Sequence, residues 1–183
     1  MIPCYVAGKG MHATSTTWDF KTTIFELLEN SGLGYDTRYR YYEQEFPDMP
    51  KDELGRMICD PIESYDKEWP AYWANKKQGR DKEEVLTEYM LGLDKRFQQE
   101  AQVAIFCLDE AGLGTGVNIM RFTAMKKPIL GLYNPVIKQR GVNINNIIQI
   151  KIEFPDLVTL QTYNEMEDLK ASVVEWLEHR SGL

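Results

Sequence analysis

The feature that most constrains the fold is an uninterrupted apolar run, "VAIFCL" (103–108), followed closely by the glycine-rich segment "GLGTGVN" (112–118). A short, continuously apolar run is typical of a parallel strand that is covered on both faces of its sheet. Glycine at every second position then indicates a tight turn that leads directly into a helix. The sequence therefore predicts a strand–turn–helix unit, with the helix spanning about 117–126.

Strand and helix patterns alternate along the rest of the chain. Strands are predicted in "IPCYVAG" (2–8), "YDTRYRYY" (35–42), "PILGLY" (128–133), "IIQIKI" (147–152) and "LVTLQTY" (157–163). Amphipathic spacing predicts helices over about 16–30, 82–100 and 165–180, the last opening with Asn164 and Glu167 as a capping-box pair. This alternation predicts an α/β fold, doubly wound around a mostly parallel, flavodoxin- or Rossmann-like sheet.

Composition narrows the function classes. The 183 residues are 43% hydrophobic and 27% charged, as expected for a single globular domain covering residues 1–183. The net charge of −7 argues against binding to nucleic acid or to anionic membrane surfaces. The three cysteines are odd in number and widely spaced, and no metal-ligand spacing occurs, so we expect reduced thiols and neither metal nor cofactor. With no signal-peptide pattern and no long apolar stretch, a cytoplasmic protein without a membrane span is expected.

A long segment after the second predicted strand interrupts the pattern. Residues 43–80 contain prolines and show little periodicity, which indicates an insertion made mostly of loop. Its aromatic residues, Tyr65, Trp69, Tyr72 and Trp73, argue against disorder. They either pack the insertion onto the domain or cover a planar ligand by stacking.

The glycine-rich turn is a candidate anion site. Ligands of open α/β sheets bind at the carboxyl ends of the strands, where this turn meets the end of the first strand. Glycines let the backbone approach a ligand, and the helix N-terminus adds a partial positive charge. Tight turns into helices also use glycine for packing, so both interpretations stand. The candidate binding residues are Gly8, Lys9, Gly112, Gly114, Thr115 and Gly116.

Residues 94–135, "DKRFQQEAQVAIFCLDEAGLGTGVNIMRFTAMKKPILGLYNP", resemble the nucleoside 2-deoxyribosyltransferase superfamily, which includes deoxynucleoside monophosphate N-glycosidases and cytidylate hydrolases. The shared pattern is an Asp, an amphipathic stretch, a hydrophobic strand, a glycine-rich turn opening a helix, and a strand after "KP". "CYVAG" (4–8) is similar to the family's first strand. The resemblance implies cleavage or transfer at the N-glycosidic bond of a nucleoside or nucleotide, through a cation-like transition state at C1′. It also implies a homodimer or higher oligomer, with residues 138–145 near the partner's site.

The resemblance assigns roles to individual residues. Asp94 corresponds to the carboxylate near the sugar or base, and Tyr5 to the tyrosine that orients the nucleophile. The backbone of 112–116 corresponds to the phosphate or sugar cradle. Without the resemblance, Asp94 is equally a polar residue on the flank of an amphipathic helix, and Tyr5 a core residue.

Asn118 departs from the family pattern, because the family has its catalytic Glu at that place. An amide carries no charge to oppose an oxocarbenium ion and is a poor nucleophile. Asp109 and Glu110 stand in the same loop, and either could take over the role or both could form a solvated pair. Three hypotheses follow: an enzyme with a rearranged catalytic set, a nucleotide-binding protein that has lost catalysis, or an interaction module that uses the aromatic insertion.

Overall fold

The computed structural model describes residues 1–9, 15–51, 54–55, 81–136 and 144–181. The strands are β1 (Ile2–Ala7), β2 (Gly34–Asp36), β3 (Val103–Cys107), β4 (Ile129–Tyr133) and β5 (Val158–Thr162). The helices are α1 (Ser15–Ser31), α2 (Thr37–Glu45), α3 (Lys82–Glu100), α4 (Leu113–Ala124), α5 (Ile144–Glu153) and α6 (Met166–Ser181). In the part of the chain so described, no helix is both long and apolar enough to cross a membrane.

The five strands form one sheet with every neighbouring pair parallel, in the order β2-β1-β3-β4-β5. The predicted doubly wound α/β fold is therefore confirmed, with the strand order of flavodoxin-like proteins. The order reverses between β1 and β3, where Tyr5 pairs with Ala104 and Ala7 with Phe106. Such a switch point opens a crevice at the carboxyl ends of the two strands, which places the predicted ligand edge there.

Helices cover both faces of the sheet. One core cluster packs α1 and α6 against the face that carries Cys4, Val103 and Cys107. The other packs α3 and α4 against the opposite face, which carries Tyr5 and Phe106. Every residue of β3 is buried, because its side chains alternate between two covered faces. This explains the continuous apolar run from which the fold was predicted.

The strand predicted at 35–42 is wrong beyond its second residue. β2 ends at Asp36, whose Oδ1 accepts hydrogen bonds from the backbone N–H groups of Arg38 at 3.0 Å and Tyr39 at 2.9 Å. This is an N-cap, and helix α2 begins directly after it. Tyr39 and Tyr42 are then buried three positions apart, which is the helical spacing.

The strand predicted at 147–152 is also wrong, because these residues belong to helix α5. Their isoleucines are spaced ambiguously: Ile148 and Ile152 are exposed, whereas Ile150 packs against the α3–α4 core cluster. Helix α4 begins at Leu113, earlier than predicted, so Gly114 lies within its first turn.

The remaining predicted elements are confirmed, with two qualifications. The start of α6 is capped by Asp168, whose Oδ2 accepts from the backbone N–H groups of Asn164 and Glu165, whereas Glu167 pairs with Lys170. The predicted capping pair of Asn164 and Glu167 is therefore wrong, because the carboxylate of Asp168, one residue after Glu167, accepts these hydrogen bonds. The four aromatic residues of the predicted insertion, and residues 138–143 of the expected dimer contact, lie outside the described residues.

Candidate functional site

Three of the predicted site residues meet between β1, α3 and α4. The Tyr5 hydroxyl donates to Asp94 Oδ1 at 2.5 Å, and Asn118 Nδ2 donates to Tyr5 Oη at 3.1 Å. These residues are 89 and 113 positions apart from Tyr5 in the sequence. The structure therefore brings together the carboxylate, the tyrosine and the asparagine that the motif pattern had singled out.

Two residues that the sequence analysis missed complete the group. Gln98 Nε2 lies 2.7 Å from Asp94 Oδ2 and 3.0 Å from Asn118 Oδ1. Arg121 Nη1 lies 3.2 Å from Asn118 Oδ1 and 3.8 Å from Asp94 Oδ2. Helical spacing could have found both, because Gln98 follows Asp94 by four residues and Arg121 follows Asn118 by three. We call Tyr5, Asp94, Gln98, Asn118 and Arg121 the polar cluster.

The polar cluster has a buried end and an accessible end. Tyr5 and Gln98 are buried, whereas the side chain of Asp94 is 24% exposed and that of Arg121 is 30% exposed. Burial raises the pKa of the Tyr5 phenol; the Arg38 guanidinium, 4.8 Å from the ring centre, opposes this rise, and Asp94 adds to it. Tyr5 therefore stays protonated and remains a donor, while Asp94 is the acceptor that a ligand can reach.

Asp109 and Glu110 are not brought to the polar cluster. Glu110 Oε2 accepts from Thr17 Oγ1 at 2.6 Å, on the α1 side of the sheet. Asp109 is buried, accepts from the backbone N–H of Asn134 at 2.6 Å, and also accepts from the Tyr163 hydroxyl. Burial raises the pKa of Asp109, and its hydrogen bonds oppose that rise. Asp109 thus links the ends of β3, β4 and β5, whereas Glu110 links the end of β3 to helix α1.

The glycine-rich turn is open in front of its backbone. Gly112, in an extended conformation, is the N-cap of α4. Because glycine has no side chain, no side-chain hydrogen bond from this position caps the helix. Among the described residues, a Cβ atom added at Gly112, Gly114 or Gly116 would meet no atom within 4 Å. Packing within that part of the chain therefore does not require these glycines, and the first N–H groups of a helix have no partner within the helix. An anion could approach them closely.

Gly8, by contrast, is a packing residue. A Cβ atom there would lie 2.8 Å from Thr17 Cγ2, closer than real Cβ atoms approach, and 3.1 Å from Cys107 Cβ, which is a tight contact. The buried Thr115 donates from Oγ1 to the carbonyl oxygen of Gly8 at 3.4 Å, which ties the turn to the end of β1. The carbonyl of Lys9 accepts from Lys21 Nζ at 3.3 Å. The predicted binding residues thus lie at one edge, but Gly8 and Thr115 hold the backbone rather than face a ligand.

An apolar groove of about 960 Å³ lies on the other side of α4, between that helix and α5. Gly112 and Gly116 line its upper end, and Gly131 of β4 lies in its floor. Tyr5, Asp94 and Asn118 are not part of its lining, whereas Arg121 is. Arg121 therefore borders both the groove and the polar cluster, and the glycine-rich turn forms part of the groove lining.

No protein-family model matches this chain, and no curated protein matches it significantly. The function is therefore argued from the polar cluster and the open turn.

Proposed function

We propose that the protein cleaves or transfers the N-glycosidic bond of a nucleoside or nucleotide, with Asp94 as the carboxylate that faces C1′ of the sugar. One observation carries the proposal. Tyr5, Asp94 and the residue-118 side chain, which the family pattern relates to one another, form direct hydrogen bonds although they come from three distant segments.

The geometry of Asp94 suits this chemistry. Departure of the base leaves positive charge on C1′ and the ring oxygen, and an ionised carboxylate beneath C1′ stabilises that charge or attacks the carbon. Oδ1 of Asp94 accepts from Tyr5 and Oδ2 accepts from Gln98. Each carboxylate oxygen has a further lone pair, so the exposed part of Asp94 can still face a substrate.

The open turn supplies the second half of a nucleotide site. The N-terminus of α4 offers backbone N–H groups and the positive end of the helix dipole, and among the described residues nothing lies within 4 Å of a Cβ atom added at its glycines. Asn118 lies one turn further along the same helix and takes part in the polar cluster. A sugar that contacts Asp94 could therefore place its 5′ hydroxyl or 5′ phosphate at the turn.

A second candidate function is nucleotide binding without catalysis. The observation that favours it is the neutral Asn118 amide, which is hydrogen-bonded to Tyr5, Gln98 and Arg121 at the place where the family pattern has a Glu. Asp109 and Glu110 are engaged elsewhere, so neither supplies the missing charge. In that case the protein would bind a nucleotide at the turn but would not cleave its N-glycosidic bond.

Base release separates the two candidates. Free base is measured by chromatography after incubation with a panel of ribo- and deoxyribonucleosides and their 5′-monophosphates. If Asp94 carries the reaction, Asp94→Asn reduces the rate by about 10²-fold or more, as expected when the charge facing a developing cation is removed. Glu110→Gln is the matched control, because it removes a carboxylate that bonds to Thr17 outside the polar cluster.

The remaining outcomes are equally informative. A wild type that releases no base but binds a nucleotide in a calorimetric titration supports the second candidate, and Asn118→Glu should then produce some base release. A wild type whose rate is unchanged by Asp94→Asn refutes the placement of the catalytic carboxylate. Absence of both base release and binding, with every nucleotide tested, overturns both candidates.

A further inference from the structure

The hydrogen bonds of the polar cluster have only one consistent set of directions. An ionised carboxylate only accepts, and a guanidinium only donates. The Gln98 atom 2.7 Å from Asp94 Oδ2 must therefore be its amide nitrogen. The Asn118 atom 3.2 Å from Arg121 Nη1 must likewise be its carbonyl oxygen, so the other end of the Asn118 amide, the nitrogen, faces Tyr5.

These directions continue through Tyr5 and Gln98. Because Tyr5 Oη accepts from Asn118 Nδ2, its own proton goes to Asp94 Oδ1, at a distance of 2.5 Å that is typical of a hydroxyl donating to a carboxylate. Gln98 Nε2 donates to Asp94 Oδ2 and is 3.0 Å from Asn118 Oδ1. Gln98 thus contacts Asp94 Oδ2 and Asn118 Oδ1, whereas Tyr5 contacts the other polar atom of each of these two side chains.

We infer that Gln98 is a positioning residue of this site, whose amide group fixes the Asp94 carboxylate and the Asn118 amide relative to each other. Without it, the contacts of Asp94 with the described residues would be the bond from Tyr5 to Oδ1 and the ion pair of Oδ2 with Arg121 at 3.8 Å, so the carboxylate would be less firmly oriented. Asn118 would lose the donor nearest its carbonyl oxygen. The consequence for catalysis rests on the proposed function, whereas the consequence for the two side chains does not.

The structure offers a matched pair of substitutions. Gln98 and Gln99 are neighbours in the last turn of α3, and the carbonyl oxygens of both accept from Lys127 Nζ, at 2.8 Å and 2.7 Å. The Gln98 side chain is buried in the polar cluster, whereas Gln99 is exposed. Gln98→Met keeps a similar length and the backbone contact but removes the amide. Gln99→Met makes the same chemical change on the same turn, outside the site.

Nuclear magnetic resonance tests the inference without any substrate. The side-chain amide signal of Asn118 is identified by its absence from the ¹H–¹⁵N spectrum of Asn118→Asp. Gln98→Met should shift and broaden this signal, because the Asn118 amide loses a fixed partner, whereas Gln99→Met should leave it in place. An Asn118 signal that is unchanged in Gln98→Met overturns the inference.

Base release tests the effect on catalysis. Misplacement of a catalytic group by about 1 Å costs up to about 10²-fold in rate, so Gln98→Met should lower kcat by about 10- to 100-fold and leave KM nearly unchanged. Gln98→Met with the kcat of the wild type refutes the positioning role. If the wild type itself releases no base, the proposed function fails, and the Asn118 signal alone decides the role of Gln98.

Gln98→Glu adds a pH-dependent control that also serves if Gln98→Met does not fold. The groups that face the introduced carboxyl are Asp94 on α3, Tyr5 on β1, and Asn118 and Arg121 on α4. While protonated, the carboxyl can donate to Asp94; once ionised, it only accepts and repels Asp94. Activity should therefore be kept best at the acidic end and be lost as the pH rises. A carboxyl group has one proton where the amide has two, so the Asn118 signal should differ from that of the wild type at every pH. Gln98→Glu that matches the wild type at every pH contradicts the inference.

Discussion

Asn118→Asp is the most direct test of the hydrogen-bond directions in the polar cluster. The substitution is nearly isosteric, but it replaces the donor that faces Tyr5 Oη at 3.1 Å with an acceptor. One phenol proton would then be contested by two carboxylates, at position 118 and at Asp94. The variant should therefore be less stable than the wild type at neutral pH.

The size of the effect follows from the bonds lost and kept. Without the Asn118 donor, the buried Tyr5 oxygen keeps the longer contact from Gln98 Nε2 at 3.5 Å, and the loss costs about 1–3 kcal/mol. Repulsion between the new carboxylate and Asp94 adds to this loss. The bonds from Gln98 and Arg121 become charge-assisted, but Arg121 is 30% exposed, so solvent screening limits that gain to about 1 kcal/mol or less. We expect a net loss of about 2 kcal/mol in the free energy of unfolding.

The loss should depend on pH in one direction. Burial and Asp94 raise the pKa of the introduced carboxyl above its unfolded value of about 3.9, so the folded state binds more protons than the unfolded state between the two pKa values. Stability relative to the wild type therefore falls as the pH rises through that window and stays low above it. Since 1 pKa unit corresponds to about 1.4 kcal/mol, a loss of about 2 kcal/mol develops between about pH 4 and pH 5.5.

Urea unfolding of the wild type and the variant, at several values from about pH 4 to pH 8, measures this difference. Tyr5→Phe completes a double-mutant cycle, because without the phenol the Asn118→Asp substitution no longer removes a needed donor. The penalty should then be markedly smaller. A penalty that is equal with and without the Tyr5 hydroxyl, or one that does not change with pH, would refute the assigned directions.

Two further predictions concern the glycines. Nucleotide should raise the melting temperature of the wild type. Gly114→Val should abolish that rise, because its side chain fills the space at the α4 N-terminus. Gly92→Val, which changes another helix glycine with open space around it, should keep the rise. A persistent rise in Gly114→Val argues against the turn as the binding site. Gly8→Ala should lower the free energy of unfolding by about 1–3 kcal/mol, because its Cβ would lie 2.8 Å from Thr17 Cγ2. Gly112→Ala, which meets no atom within 4 Å, should cost much less in the same urea titration, and equal losses would contradict the packing argument.

The fold was predictable where one periodicity dominated the sequence. The continuous apolar run of β3, together with the strand patterns before and after it, indicated a sheet that is covered on both faces. The segments that became α2 and α5 were mistaken for strands because tyrosine and isoleucine at mixed spacing fit both periods, and tertiary packing decided between them. The hydrogen bonds to Asp36 that start α2 could have been suspected from the Asp itself, which is a common N-cap residue.

The site was predictable in part, for a related reason. Motif order identified Tyr5, Asp94 and Asn118, but it left Asp109 and Glu110 as residues that could take over the role of the missing Glu. Strand alternation could have separated them: Val103, Ile105 and Cys107 face the α1–α6 cluster, and continuing that period places Asp109 on the same side, away from Tyr5. Gln98 and Arg121 are ordinary helix residues by type; their helical spacing from Asp94 and Asn118 was the available signal, and the hydrogen bonds between α3 and α4 bring them into one cluster.

The bonds from Lys127 to the end of α3 bear on how long the site stays assembled. The last turn of a helix is the part that frays most easily, because its carbonyl groups have no partner within the helix. Gln98 lies in that turn, and Lys127 holds two of its carbonyl oxygens. In Lys127→Met, amide hydrogen exchange should accelerate in the final turn of α3, and Gln98 would spend part of its time away from Asp94. Lys127, which is hydrogen-bonded to the end of α3, would thereby set the fraction of molecules in which the polar cluster is assembled.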